Sequence, residues 1–219
     1  MGQPTNKAII LSGGEPLEAD REIVLPDDAY IIAADSGLHH AADLGIRVDL
    51  VIGDMDSVDP ATLAAAVGRG SRKELHPTDK DRTDLELAID AALDLGARTL
   101  LIVGAHTGRL DHLLGAMGLF AATAPHVDEI IWTDGLTEVY GCVPGHSVIV
   151  NGRVDDGVSL IPSSTSVSGI RTEGLRWRLF DDVLPAGSTR GISNVIETTP
   201  VSVSVEVGTL LVVHERTPT

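Results

Sequence analysis

The chain has 219 residues, 43% of them hydrophobic, with 16 basic against 32 acidic side chains and a formal charge of −16. That hydrophobic content excludes a disordered chain, and the acidic surface repels nucleic-acid phosphate and anionic lipid at long range, so neither is expected as a partner. The lone Cys142 excludes an intrachain disulfide, and no apolar run approaches the ~18 residues of a membrane span, which together suit a cytoplasmic protein.

Lys7–Leu11 (KAIIL) predicts a buried strand running into Ser12-Gly13-Gly14, a turn that either lets backbone N–H groups approach a phosphate or is only tight. Tyr30–Ala34 predicts the second strand. It stops at Asp35-Ser36-Gly37, and a helix follows over 38–44, with Gly45 as its stop. Leu50–Ile52 is the third strand, ending in Gly53-Asp54-Met55-Asp56-Ser57. Asp59 and Pro60 are the N-cap and first turn of the next helix. Lys73–Leu75 predicts a short strand, and His76–Asp84 a polar loop. Thr83 or Asp84 caps a helix over 85–95, whose Leu85, Ala88, Ala92 and Leu95 fall on one face. Thr99–Val103 is a further strand. The loop Ala105–Gly108 leads to Arg109-Leu110-Asp111-His112 and a helix through Ala122, and Val127–Trp132 predicts one more strand.

Short continuous apolar strands alternating with helices predict an α/β fold: an open, mostly parallel sheet with helices on both faces. Past about residue 140 the chain turns to Val, Ser, Thr and Gly. Segments such as HSVIVNGR, GVSLIPSS, TSVSGI, WRLF, SNVIE, VSVSVEV and TLLVVHE, punctuated by Gly, Pro and Asp-Asp, predict a small antiparallel β-sandwich or barrel. The expected division is 1–140 and 141–219, near Gly141–Gly145.

The acidic motifs all follow strands, at the carboxyl edge where open α/β sheets bind ligands. Converged carboxylates repel. At about 4 Å and an effective dielectric near 20 each pair costs about 4 kcal/mol, so a cation must neutralise them, and oxygen ligands favour Mg²⁺. Asp54 and Asp56 are the leading acids, brought together by a turn. Asp79, Asp81 and Asp84 are either ligands or turn and cap residues. Ser57 either caps the segment or touches ligand. Arg109, beside Gly108, either clamps a phosphate or pairs with Asp111 or another acid. Trp177 is either a sandwich-core aromatic or a stacking surface, Trp132 is core or interface, and Cys142 is a buried filler. The sequence contains no GxxxxGK[ST] loop, no GxGxxG after the first strand and no GxSxG.

Asp35-Ser36-Gly37, Gly53–Ser57, Asp81-Arg82-Thr83-Asp84 and Gly108–His112 resemble, in order, the DGG, GDFDS, DxTD and GGRLDH motifs of the thiamine pyrophosphokinase family. Gly174-Leu175-Arg176-Trp177, Asp182-Val183-Leu184 and Ser193-Asn194 resemble its GLKW, DVL and SN elements, so the likeness covers nearly the whole chain. Ser36, Met55 and His106-Thr107 depart from the family pattern.

The resemblance implies Mg²⁺-dependent pyrophosphoryl transfer from ATP to the thiamine hydroxyl, with AMP leaving. It also implies a homodimer whose thiamine cleft lies between the catalytic domain of one subunit and the sandwich of the other. Asp54, Asp56 and Asp81 would hold metal and, with Asp84 and Arg109, carry catalysis. Asp35, Ser57, Gly108, Arg109 and Asp111 would hold the nucleotide, and Trp177, Ser193 and Asn194 the thiamine. Two rivals are a pyrophosphokinase acting on a hydroxymethylpterin and a non-catalytic thiamine- or nucleotide-binding regulator.

Overall fold

The computed structural model describes residues 6–15, 17, 23–104, 106 and 108–217, so Thr107 lies outside the described residues. The chain divides into two compact units, Met1–Ala116 with Trp132–Gly135, and Met117–Ile131 with Leu136–Thr219.

The first unit carries strands β1 (Lys7–Leu11), β2 (Tyr30–Ala34), β3 (Leu50–Gly53), β4 (Arg72–Leu75) and β5 (Thr99–Val103). They run parallel in the order β5-β1-β2-β3-β4. Successive residues such as Ile9, Ile10 and Leu11 are all buried, which requires cover on both faces. Helices α1 (Gly37–Asp43), α2 (Pro60–Gly68) and α3 (Asp84–Asp94) supply it. Right-handed crossovers put α1 and α2 on one face and α3, which returns the chain from β4 to β5, on the other. The strand order reverses at β1, so the carboxyl ends around β1 form the ligand-binding edge of such a sheet.

The helix starts follow local chemistry. Asp59 accepts from Thr62 N at 2.8 Å ahead of Pro60, and Thr83 Oγ1 accepts from Glu86 N at 3.2 Å. The buried residues of α3 are Leu87, Ala88, Ile89 and Ala92, whereas Leu95 is 45% exposed. The expected stripe misplaced Leu95 because α3 ends at Asp94 and Leu95 is already the turning C-cap residue. Helix α4 (Leu110–Thr123) and strand β6 (Glu129–Thr133) each cross the division between the units.

The second unit is antiparallel, with strands β7 (Thr137–Cys142), β8 (Val148–Val150), β9 (Gly157–Pro162), β10 (Ser166–Glu173), β11 (Phe180–Pro185), β12 (Asn194–Val195), β13 (Val201–Ser204) and β14 (Leu210–Glu215). One row is β12-β9-β14-β7 and the other β11-β10-β13-β8. Alternate residues such as Val158, Leu160, Val201 and Val203 point into one shared apolar core, which makes the unit a sandwich. Cys142 belongs to that core, and burial pushes its thiol up to about 11.

Three expectations need correction. Trp177–Leu179 precede the strand rather than form it. Asp181-Asp182, read as punctuation, lie inside β11. The left-handed Asp181 (φ 58°) sits opposite register shifts in β10, and an edge strand accommodates both the bulge and the charges. The VSVSVEV segment forms a strand only as far as Ser204, the end of β13, and Val207 beyond it is 58% exposed.

Candidate functional site

The carboxyl edge of the first unit is built by close backbone approaches. Ser12 N donates to Val103 O at 2.9 Å and Asp35 N to Ile52 O at 2.9 Å, tying each turn to the neighbouring strand end. A side chain at Gly37 would place Cβ 1.9 Å from Leu11 O, so only glycine fits after Asp35-Ser36. Gly53 is held at φ 142°, and its missing Cβ would meet Asp84 Oδ1 at 2.8 Å. Asp35 (φ 45°) and Met55 (φ 63°) both adopt left-handed backbone. These bends turn Asp35 and Asp54 toward Asp84, the first residue of α3.

The result is one group of acids. Asp35, Asp54 and Asp84 each offer a carboxylate oxygen within 4.8 Å of the others. Lys80 bridges two of them, with Nζ 3.0 Å from Asp54 Oδ2 and 3.1 Å from Asp84 Oδ1. Apart from that ion pair Asp84 Oδ1 is buried without a hydrogen bond, and Asp35 Oδ1 is buried with none. The Lys80 hydrogen bond holds Asp54 below the usual carboxylate range. Burial pushes Asp35 up, the Ser36 N–H opposes this, and repulsion from Asp84 and Asp54 adds to it. Negative charge that one ammonium neutralises only in part is the condition a hard cation relieves, and this all-oxygen set fits Mg²⁺.

The other expected site residues sit around this group. Asp56 is exposed, accepts from Ser57 Oγ at 2.8 Å, and donates its N–H to Asp54 Oδ1 at 3.4 Å, so it braces the turn. Asp81 and Asp79 are exposed on the loop before α3 and lie outside the group of three. Gly108 (φ 97°) precedes Arg109, whose guanidinium meets Asp111 through Nε at 3.2 Å and Nη2 at 2.7 Å. That pair is exposed, and Arg109 holds the Asp111 carboxyl down to about 2. Gly13, Gly14, Asp35, Ser57, Lys80, Asp84, Arg109 and Asp111 line a cleft of about 620 Å³. At the end of β5, buried Trp132 donates Nε1–H to Gly104 O at 3.0 Å and lies against the His106 ring, with centroids 4.9 Å apart.

In the second unit a cleft of about 480 Å³ is lined by Trp177, Arg178, Arg190 and Asn194 among others. Trp177 is 58% exposed and is no core residue. Buried Asn194 accepts from Trp177 N at 3.1 Å and from Val195 N at 2.9 Å, and it donates Nδ2 to Trp177 O at 2.7 Å. Its amide is committed to holding the Trp177 backbone. Ser193 is exposed at φ 61°, with its N–H on Ser159 Oγ at 3.1 Å.

Sequence reasoning passed over Lys80. The available signal was that it is one of three lysines in the chain, with Lys7 and Lys73, and stands between aspartates four residues before Asp84.

Residues 22–131 match the family description "Thiamin pyrophosphokinase, catalytic domain", and residues 146–210 match "Thiamin pyrophosphokinase, vitamin B1 binding domain". The chain is 27% identical over 186 residues to the thiamine pyrophosphokinase of Bacillus subtilis, covering 85% of this chain and 87% of that protein. It is similar to the crystal structure of thiamine pyrophosphokinase from Bacillus subtilis at TM-score 0.82 and 23% identity, covering 97% of this chain and 100% of the other. The structure of the Geobacillus thermodenitrificans protein gives TM-score 0.78 at 26% identity, with 97% and 99% covered.

Proposed function

Since the chain belongs to the thiamin pyrophosphokinase family, we propose that it transfers the pyrophosphoryl group of ATP to the hydroxyl of thiamine, giving thiamine diphosphate and AMP. The thiamine oxygen bonds to the β-phosphorus, the bond from that phosphorus to the oxygen bridging the α-phosphate breaks, and the hydroxyl proton is released. The observation that carries this reading is the convergence of Asp35, Asp54 and Asp84 at the carboxyl edge.

Mg²⁺ would be held by Asp54 with Asp35 and Asp84 and would neutralise phosphate charge. Phosphoryl-type transfer needs positioning and electrostatics more than covalent help. Arg109, exposed in a two-point pair with Asp111, exchanges that carboxylate for phosphate oxygens at little cost, because the pair is solvated. Gly13, Gly14 and Gly108 allow backbone to approach the polyphosphate, and Ser57 and Asp111 border the same cleft. Asp56 and Asp81 are supporting acids on the same loops. Trp177 would stack on the flat cationic thiamine, positioned by Asn194, with Ser193 beside it. A cytoplasmic homodimer completes the proposal. Among the described residues no helix is long and apolar enough to cross a membrane.

The test is AMP release from folded protein with ATP and Mg²⁺, with thiamine or a hydroxymethylpterin as acceptor. AMP with thiamine alone supports the reading. Release only with the pterin, or none with either, sinks it. Sedimentation at assay concentration tests the dimer.

A further inference from the structure

We propose that Lys80 is the built-in counter-cation of the acid group: it holds Asp54 and Asp84 together in the free protein and is exchanged for the divalent cation. The released ammonium then serves the polyphosphate. This rests on the reading of the acids as a cation site, and not on which molecule accepts the pyrophosphoryl group.

The geometry makes the two cations alternatives. Lys80 Nζ lies 3.0 Å from Asp54 Oδ2 and 3.1 Å from Asp84 Oδ1, and those carboxylates make up two of the three members of the acid group. A divalent ion on the same carboxylates would stand within ångströms of the ammonium, and like charges at that distance exclude one another. The lysine is only 14% exposed, although lysine is rarely buried without a dedicated partner. Its charge satisfies only part of the group. Asp35 Oδ1 remains without a donor while Lys80 is in place, so one ammonium leaves charge for a divalent ion to relieve.

The surroundings permit the exchange. Lys80 lies outside any helix or strand, between β4 and α3, so moving it breaks no ladder or helical turn. Its four-carbon stem carries a compact point charge that re-aims readily. It lines the same cleft as Gly13, Gly14 and Arg109, the side of the site suited to an anion. Lys80 is therefore a positioning residue for the free site and a phosphate partner in the loaded one.

The test is titration of the full chain with Mn²⁺, followed by paramagnetic resonance, with no nucleotide present. Lys80→Met, which keeps the stem, is expected to tighten Mn²⁺ binding by on the order of tenfold, since its competitor is gone. Lys80→Arg, which keeps the charge, is expected to return the affinity toward the wild-type value. At saturating Mn²⁺, Lys80→Met is expected to bind a non-hydrolysable ATP analogue about tenfold more weakly, the loss of one charged contact. A lysine that only braced the loop would give the opposite sign for the metal. Mn²⁺ affinity unchanged or weakened in folded Lys80→Met overturns the proposal, as does a wild-type chain that takes up no Mn²⁺. If Lys80→Met does not fold, Lys80→Gln is measured against the same expectations. The AMP assay stands apart from these titrations, so failure of the exchange and failure of the thiamine reading are distinguishable.

Discussion

Asn194 grips the backbone of Trp177 from both sides, accepting from its N–H at 3.1 Å and donating to its carbonyl at 2.7 Å. An exposed indole is thus held by a buried amide seventeen residues away. Asn194→Ala is expected to destabilise the second unit by about 1–2 kcal/mol, because part-buried backbone groups lose their partners. It should also raise the KM for thiamine while changing kcat little. Urea unfolding and steady-state kinetics check both parts, and an unchanged KM would refute the positioning role.

Trp177→Ala is expected to leave the fold almost untouched, within about 1 kcal/mol, because the ring is already exposed. Thiamine affinity should fall about tenfold with loss of stacking and cation–π attraction. Calorimetric titration with thiamine measures it. Unfolding of the sandwich with no separate binding defect would return Trp177 to a packing role.

Asp54→Asn is expected to lower kcat by about 100-fold or more while far-ultraviolet dichroism stays native. Asp56→Asn and Asp81→Asn, exposed and outside the group of three, should cost less than Asp54→Asn. Equal losses at all three positions would mean that the free geometry does not rank the acids.

The second unit contains a buried charged knot with its own pH signature. His214 Nδ1 lies 3.1 Å from Glu138 and Nε2 3.1 Å from Asp156, and Glu138 also accepts from Tyr140 at 2.6 Å and from Arg216 at 3.0 Å. Burial opposes the imidazolium, but the two carboxylates outweigh it and raise His214 above its ordinary 6.5. Its contribution is therefore complete below about pH 6.5 and is lost as pH rises through the folded value. Glu138 and Asp156 are held low, so their share is present above the ordinary carboxylate range and lost on acidification. His214→Gln is expected to cost about 3–5 kcal/mol near pH 6 and less at pH 9, by removing one partner of a buried pair. Melting curves across pH read the difference, and a gap independent of pH would show that His214 is neutral.

Much of this architecture was legible because the strands of a two-sided parallel sheet are continuous apolar runs. KAIIL, YIIAA and TLLIV correspond residue for residue to β1, β2 and β5. Asp59-Pro60 announced the start of α2 by cap chemistry. Strand β7 was not picked out, because TEVYGC carries one clear apolar inward position before Gly141. Which acids converge was not legible either. That choice depends on left-handed backbone at Asp35 and Met55, where no glycine marks it as Gly53 marks its own positive φ. Lys80 escaped notice because a lysine among aspartates in a polar loop usually reads as solvated charge.

The three converging carboxylates belong to three separate segments, after β2, after β3 and at the start of α3. Nothing local brings them together; the parallel pairing of Ala34 with Ile52 must already exist. A cation held there, as proposed, would be a ligand of the folded first unit, and by mass action it would stabilise that unit by about 2.7 kcal/mol at a hundred times its Kd. Divalent metal would then double as a reporter of assembly: during refolding, tight uptake would mark the moment the parallel sheet has closed, and a chain stalled before that point would have no site to fill.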